Sequence, residues 1–209
     1  MHTINFWKQH CAKIWSFGDC INTQMTDISK HWVKLGNMVC PKLSDEVFDA
    51  ERVVEQSRVA HSFDNKWYHR TYAPTMTFTN PVGSGGLAER YLLDLNLPKF
   101  EYRSVTFSAL FGTLEWHIDS VRDTAINFYI QNGELGLTEL VDSTSYEMNP
   151  GDIYALNTKA MHRVKFLVPE ITEIDLRNAR IILTVSVPYA FDSIETHNIL
   201  RDLNGYLTT

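Results

Sequence analysis

Cysteine is scarce in this 209-residue chain. There are three, Cys11, Cys20 and Cys40, all in the first fifth, and no two are spaced as C-x-x-C. An odd, loosely spaced set excludes a disulfide scaffold and a zinc ribbon and fits a reducing compartment, so a cytoplasmic location is expected. Long apolar runs are also missing. No stretch approaches the roughly 20 residues that a bilayer-crossing helix needs, and the opening Met1–Lys8 has no apolar run behind a basic start. Neither membrane insertion nor export is therefore expected. Basic charge is in deficit, with Lys and Arg at 19 against Asp and Glu at 25, a net of −6. A grip on nucleic-acid phosphates calls for a basic surface, so nucleic acid is disfavoured as a partner. Ten glycines and seven prolines are too few for a collagen-like or low-complexity chain, and no internal repeat is visible.

The composition that remains is ordinary. Hydrophobic residues make up 44% and charged residues 21%, which describes a folded globular chain. A chain of this length buries roughly 70% of its unfolded surface and needs no covalent staples.

The texture changes near residue 100. Before it, Ile14, Phe17, Ile21, Met25 and Ile28 recur at three- and four-residue spacing, which predicts a helix. Ser44 reads as the N-cap of a second helix over 45–58, with acids in its first turn. Residues 62–86 hold Asn80-Pro81 and a glycine cluster, and read as loop with one strand at 75–79. A short helix is predicted at 88–95. From Glu101 onward the pattern is strand after strand: 102–107, 113–118, 124–131, 137–141, 145–148, 153–156, 160–167 and 179–188. These are rich in Val, Ile, Thr, Tyr and Phe, and Asn132-Gly133 and Asn149-Pro150-Gly151 supply turns between them. A closing helix is predicted at 191–203. The expected fold is mainly β with flanking helices, a barrel or sandwich at 100–209 with a helical and loop region at 1–99 packed on it.

The segment richest in chemistry is Glu115-Trp116-His117-Ile118-Asp119. On a strand, residues two apart share a face, so His117 and Asp119 can aim an imidazole nitrogen and a carboxylate oxygen into one cavity. The pair alone equally suits a turn or a solvated strand end. His162 follows 45 residues later, on a strand that a turn could return beside the first pair. Two histidines and one carboxylate on one face, with other positions open, are the ligand set of non-haem Fe(II) oxygenases. Arg180 heads an apolar strand 18 residues after His162. A guanidinium placed there is costly unless a carboxylate meets it, and its fork suits one bidentately; pairing with Asp175 or Glu173 at the surface is the plainer alternative.

His117-x-Asp119, Pro150-Gly151-Asp152, His162-Arg163-Val164 and Arg180 together resemble the iron- and 2-oxoglutarate-dependent dioxygenase superfamily. The resemblance covers about residues 102–188. It implies a double-stranded β-helix (jelly-roll, cupin-like) core, with Fe(II) held by His117, Asp119 and His162. Arg180 would hold the far carboxylate of 2-oxoglutarate, the co-substrate, with O₂ as oxidant. Where many members have Ser or Thr two residues after the arginine, this chain has Ile182, which keeps Arg177 in contention. Arg180 is preferred because it opens the apolar strand, whereas Arg177 lies in a polar approach. Asn127 and Tyr129 on one strand face, Tyr102 on the preceding strand, and Thr184 in phase with Arg180 are further candidates for the co-substrate pocket, each also readable as an ordinary barrel position. Arg122, near the ligand turn, would meet an anionic substrate or stand in solvent.

The activity implied is oxidative decarboxylation of 2-oxoglutarate to succinate and CO₂, coupled to oxidation, usually hydroxylation, of a second substrate. A small molecule or an amino-acid side chain is the expected substrate class. Two alternatives stay open: a cupin-type metalloprotein that does not use 2-oxoglutarate and has no need of Arg180, and a non-catalytic jelly-roll binding module. The histidines at 2, 10, 31, 61, 69 and 197 lack ligand spacing and read as structural or surface residues.

Overall fold

The computed structural model describes residues 31–43, 68–70, 75–110, 112–132, 136–140, 145–166 and 179–208. The helices expected at 14–28 and 45–58 lie outside these residues, as does Arg177. Among the described residues the elements are β1 (Trp32–Asn37), β2 (Tyr68–Arg70), β3 (Thr75–Pro81), α1 (Leu87–Asp94), β4 (Ser104–Leu110), β5 (Leu114–His117), β6 (Thr124–Gln131), β7 (Gly136–Leu140), β8 (Ser145–Glu147), β9 (Asp152–Asn157), β10 (His162–Phe166), β11 (Arg180–Val187) and α2 (Ile194–Leu207). No helix among them is long and apolar enough to cross a membrane.

The strands form two antiparallel sheets. The larger runs β1-β9-β6-β11-β4-β3-β2 and the smaller β5-β10-β7-β8. From β4 onward the chain winds between them: β4, β6, β9 and β11 enter the large sheet, and β5, β7, β8 and β10 the small one. Eight strands divided in this way are a jelly roll, the double-stranded β-helix. Its seams are long-range, since β11 pairs with β4 across Arg180↔Leu110 to Ser186↔Ser104 and with β6 on its other side. Residues before 100 do more than pack on this core. β1 adds to one edge by pairing with β9, and β3 and β2 add to the other through β4.

Strand parity separates two kinds of work. On the outward face of the large sheet, Phe107, Phe128, Ile153, Ile181 and Leu183 are buried under α1 and α2. Each such side chain contributes roughly 1.5–3 kcal/mol by leaving water. Both helices are fixed by polar contacts: Ser193 caps α2 by accepting from the Thr196 amide at 3.1 Å, and buried Asn80 of β3 accepts from the Ala88 amide in the first turn of α1 at 2.8 Å.

The inward face is polar instead. One cross-strand row reads Thr79, Thr106, Thr184, Asn127, Tyr154 and Lys34, from β3 to β1. Within it Thr79 and Thr106 share a hydrogen bond of 3.0 Å, and Thr184 donates to Asn127 Oδ1 at 2.8 Å.

The Asn149-Pro150-Gly151 turn, which sets the start of β9, depends on a left-handed glycine. Gly151 has φ of +93°, and a Cβ there would lie 2.6 Å from the Met38 carbonyl oxygen. Glycine alone tolerates both. The Gly151 amide donates to Tyr129 O at 2.7 Å, and its carbonyl accepts from the Met38 amide at 2.9 Å. Asp152, next along, is buried and closes the turn through the Asn149 amide (2.9 Å), Asn37 (3.1 Å) and Lys34 (2.8 Å).

Candidate metal centre

His117 ends β5 and His162 begins β10, and the antiparallel register sets them directly opposite each other. Their rings are 4.3 Å apart between centroids. Asp119 follows two residues after His117, where the chain leaves the small sheet for the large one. The three ligand atoms, one per residue, lie within 4.8 Å of one another. The H-x-D pair and the later histidine, 45 residues away in sequence, therefore meet at one end of the barrel.

Both imidazoles are oriented by their own backbone. His117 Nδ1 is 2.7 Å from Glu115 O and His162 Nδ1 is 2.8 Å from Ala160 O. A carbonyl oxygen only accepts, so Nδ1 carries the proton in each ring and Nε2 keeps its lone pair for a metal. Burial of His162 outweighs the opposing hydrogen bond to Ala160 O and depresses its pKa, which favours the neutral form that a ligand requires.

The loop carrying Asp119 is laced to the turn before β10. The Asp119 amide donates to Thr158 O at 2.9 Å, the Thr158 amide to Asp123 O at 3.1 Å, and Thr158 Oγ1 to Arg122 O at 2.5 Å. Lys159 reaches the Asp119 carbonyl at 3.0 Å and the Asp123 carboxylate at 3.3 Å. Arg122 Nε lies 2.6 Å from Asp119 Oδ2, so Arg122 meets the ligand rather than open solvent. Burial alone would raise the Asp119 pKa; the charge and hydrogen bond of Arg122, followed by the two histidines, outweigh it and hold the carboxyl below its ordinary value. Sequence spacing missed this pairing. Its one signal is that Arg122 stands three residues after Asp119 in a short loop.

The donor set fits a divalent transition metal: two imidazole nitrogens and a carboxylate on one side leave the remaining positions open. Flanking residues Trp116, Ile118, Val121 and Met161 are exposed, with the Arg163 guanidinium stacked 4.9 Å above the Trp116 ring.

Arg180 is 1% exposed. Its register partner Leu110 packs with Val164 and Leu114, strand neighbours of the two histidines. One terminal nitrogen donates to the Tyr129 hydroxyl, and the guanidinium carbon sits 4.8 Å from the centre of the Tyr129 ring. Asn127 and Thr184 lie on the same inward face, bonded to each other. Tyr102 does not join them. The expected strand begins two residues later than predicted, and before it Tyr102 packs with the helix-side core and donates to Glu89 Oε1 of α1 at 3.1 Å. A separate cleft of about 300 Å³, between α1 and residues 41–43, lies on that helix side of the large sheet and includes none of the metal-ligand candidates.

No protein-family model matches the chain, and no curated protein sequence matches it. Among solved structures, OsALKBH1 is similar at 12% identity over 65% of this chain and 89% of its own, with a TM-score of 0.41. KdgF from Halomonas sp. is similar at 12% identity over 62% and 92%, TM-score 0.36. A salicylate 1,2-dioxygenase from Pseudaminobacter salicylatoxidans is similar at 10% identity over 73% of this chain and 37% of its own, TM-score 0.37. The jelly-roll assignment rests on the strand order itself.

Proposed function

We propose that this protein is an Fe(II)- and 2-oxoglutarate-dependent oxygenase, a hydroxylase acting on a small molecule or an amino-acid side chain. The observation that carries the reading is the convergence of His117, Asp119 and His162, with both Nε2 atoms left as ligands and the carboxylate ionised. Fe(II) bound there would supply the redox chemistry that couples decarboxylation of 2-oxoglutarate to substrate oxidation.

The chain's own residues do the rest. The backbone carbonyls of Glu115 and Ala160 fix the imidazole tautomers, and the laced 119–123 loop fixes the carboxylate. Arg180, buried on the inward face, supplies a planar fork for the distal carboxylate of the co-substrate, with Tyr129 orienting it. The Thr184–Asn127 pair extends the polar floor of the same face. A cupin-type metalloprotein without 2-oxoglutarate would use the same three ligands. The buried Arg180 on the inward face supports the oxygenase reading, because the cupin reading has no need of it.

The test is succinate formation. Purified protein with Fe(II), ascorbate and 2-oxoglutarate should release succinate slowly even without the second substrate. Metal binding with neither succinate nor 2-oxoglutarate binding would move the assignment to the cupin alternative. Failure to bind metal would leave a non-catalytic jelly roll.

A further inference from the structure

We infer that Arg122 is a positioning residue that restricts Asp119 to one-oxygen ligation and so keeps a coordination position open for the co-substrate. The inference rests on the metal-centre reading above and adds to it a role for a residue outside the ligand set.

The geometry is specific. Arg122 Nε lies 2.6 Å from Asp119 Oδ2, at the short end for a charge-assisted hydrogen bond. The arginine is itself held from behind. Thr158, whose side chain is fully buried, donates to the Arg122 carbonyl at 2.5 Å, and its amide ties the next residue, Asp123. On the other side Lys159 holds the Asp119 carbonyl at 3.0 Å. The main chain on both sides of the Asp119–Arg122 pair is thereby fixed, which favours the observed contact between the two side chains.

The consequence follows from counting positions. A carboxylate binds a metal through one oxygen or two. Two histidines and a one-oxygen aspartate fill three of six octahedral positions. A co-substrate that chelates through two atoms, plus O₂, needs the other three. A two-oxygen aspartate would fill a fourth and leave one too few. Both oxygens of Asp119 are chemically competent, so the triad alone does not decide between these states. Engagement of Oδ2 by Arg122 does, because the metal would have to displace a charged hydrogen bond to gain the second oxygen. The cation has an opposing effect on the metal itself, since a guanidinium nearby repels a divalent ion. Removing it therefore relieves repulsion while loosening the carboxylate, and metal affinity should move less than co-substrate affinity.

The experiment uses the full chain with Mn(II) as the probe metal, comparing wild type with Arg122→Ala and Arg122→Lys. Calorimetry gives the Mn(II) affinity of each, then the 2-oxoglutarate affinity of each Mn(II)-loaded protein. Infrared difference spectra with ¹³C-carboxylate aspartate report the splitting between antisymmetric and symmetric stretches, which narrows when a carboxylate chelates. Arg122→Ala should weaken 2-oxoglutarate binding roughly 10- to 100-fold, the fold-change that matches losing a hydrogen bond between charged groups. The Mn(II) affinity should change by a smaller factor and the splitting should narrow. Arg122→Lys should recover part of the co-substrate affinity, and it carries the test if the alanine variant fails to fold. The inference is overturned if both variants bind 2-oxoglutarate within threefold of wild type, if the splitting is unchanged, or if Mn(II) affinity falls by as much as co-substrate affinity. A wild-type protein that binds no Mn(II) would instead overturn the metal-centre reading.

Discussion

Removing the guanidinium of Arg180 should separate co-substrate binding from metal binding. The side chain is 1% exposed, stacked against the Tyr129 ring at 4.8 Å and donating to that residue's hydroxyl. A bound carboxylate at this depth is shielded from water, which makes a bidentate contact strong. Truncating one partner of a buried, hydrogen-bonded charge pair costs about 2–5 kcal/mol. At about 1.4 kcal/mol per tenfold, Arg180→Ala should raise the 2-oxoglutarate Kd by at least about 30-fold. Mn(II) affinity should stay within about threefold, because the guanidinium is no metal ligand. Arg180→Lys keeps the charge and loses the fork, so it should recover only part of the affinity. Tyr129→Phe removes one orienting hydrogen bond, worth about 0.5–1.5 kcal/mol, and should weaken 2-oxoglutarate by a few-fold to about tenfold. The assay is calorimetric titration of 2-oxoglutarate into Mn(II)-loaded protein, with far-ultraviolet circular dichroism as the fold control. An Arg180→Ala protein that is folded, binds Mn(II) and retains wild-type 2-oxoglutarate affinity would refute the reasoning. Loss of binding in Arg177→Ala instead would transfer the role to that residue.

Other consequences can be measured directly. His162→Ala should abolish high-affinity Mn(II) binding, since it removes a buried ligand that no other described histidine can replace; unchanged calorimetric affinity would break the triad assignment. Gly151→Ala should cost more than about 1 kcal/mol in urea unfolding, from the left-handed backbone and the close Met38 carbonyl. An unaltered midpoint would mean that the turn relaxes freely. Asp152→Asn should destabilise the protein by about 1–3 kcal/mol at neutral pH. Burial alone would raise the Asp152 pKa, but Lys34, the Asn149 amide and Asn37 hold it below its ordinary value. A depressed carboxyl stabilises the fold above the unfolded value near 4 and loses that contribution as pH falls through the lower folded value. The difference between wild type and Asp152→Asn should accordingly shrink below about pH 4; a gap that widens there would contradict the pairing.

The eight core strands were legible because each carries β-rich residues bounded by turn chemistry, and β6 matches its expected limits, 124–131, at both ends. The metal-ligand candidates left a trace as sparse as H-x-D and one later histidine, and the structure brings these three side chains together, although Asp119 stands in the loop after β5, where strand phase no longer applies. β1 left no such trace. Its six residues include Gly36, a register shift falls between Lys34 and Gly36, and its partner β9 lies more than a hundred residues on. Nothing local marks an edge strand whose pairing is wholly long-range. Tyr102 misled for a different reason. Parity along 102–107 assigns it to the inward face, but the chain bends at Arg103 before the strand begins, and Glu89 of α1 takes its hydroxyl.

Arg122 shows where residue spacing stops being informative. In a strand, phase fixes direction, so Asn127 with Tyr129, and Arg180 with Thr184, could each be paired on a strand face before any contact was known, and the register of β11 with β6 joins the two pairs. In the 118–123 loop no period applies, and what Arg122 faces is decided by the hydrogen bonds of Thr158 and Lys159, some forty residues away in sequence. Those two residues look like an unremarkable turn. They matter because the loop joins the two sheets at the site, and a carboxylate on an untethered loop would sample many orientations at an entropic cost to every ligand it helps bind. The strands therefore contribute the two histidines and the arginine fork by parity, and the outward face, packed under α1 and α2, supplies the rigidity. The one metal-ligand candidate that parity cannot position, Asp119, sits on the loop that these cross-links tie down, which is the support a preorganised centre would require.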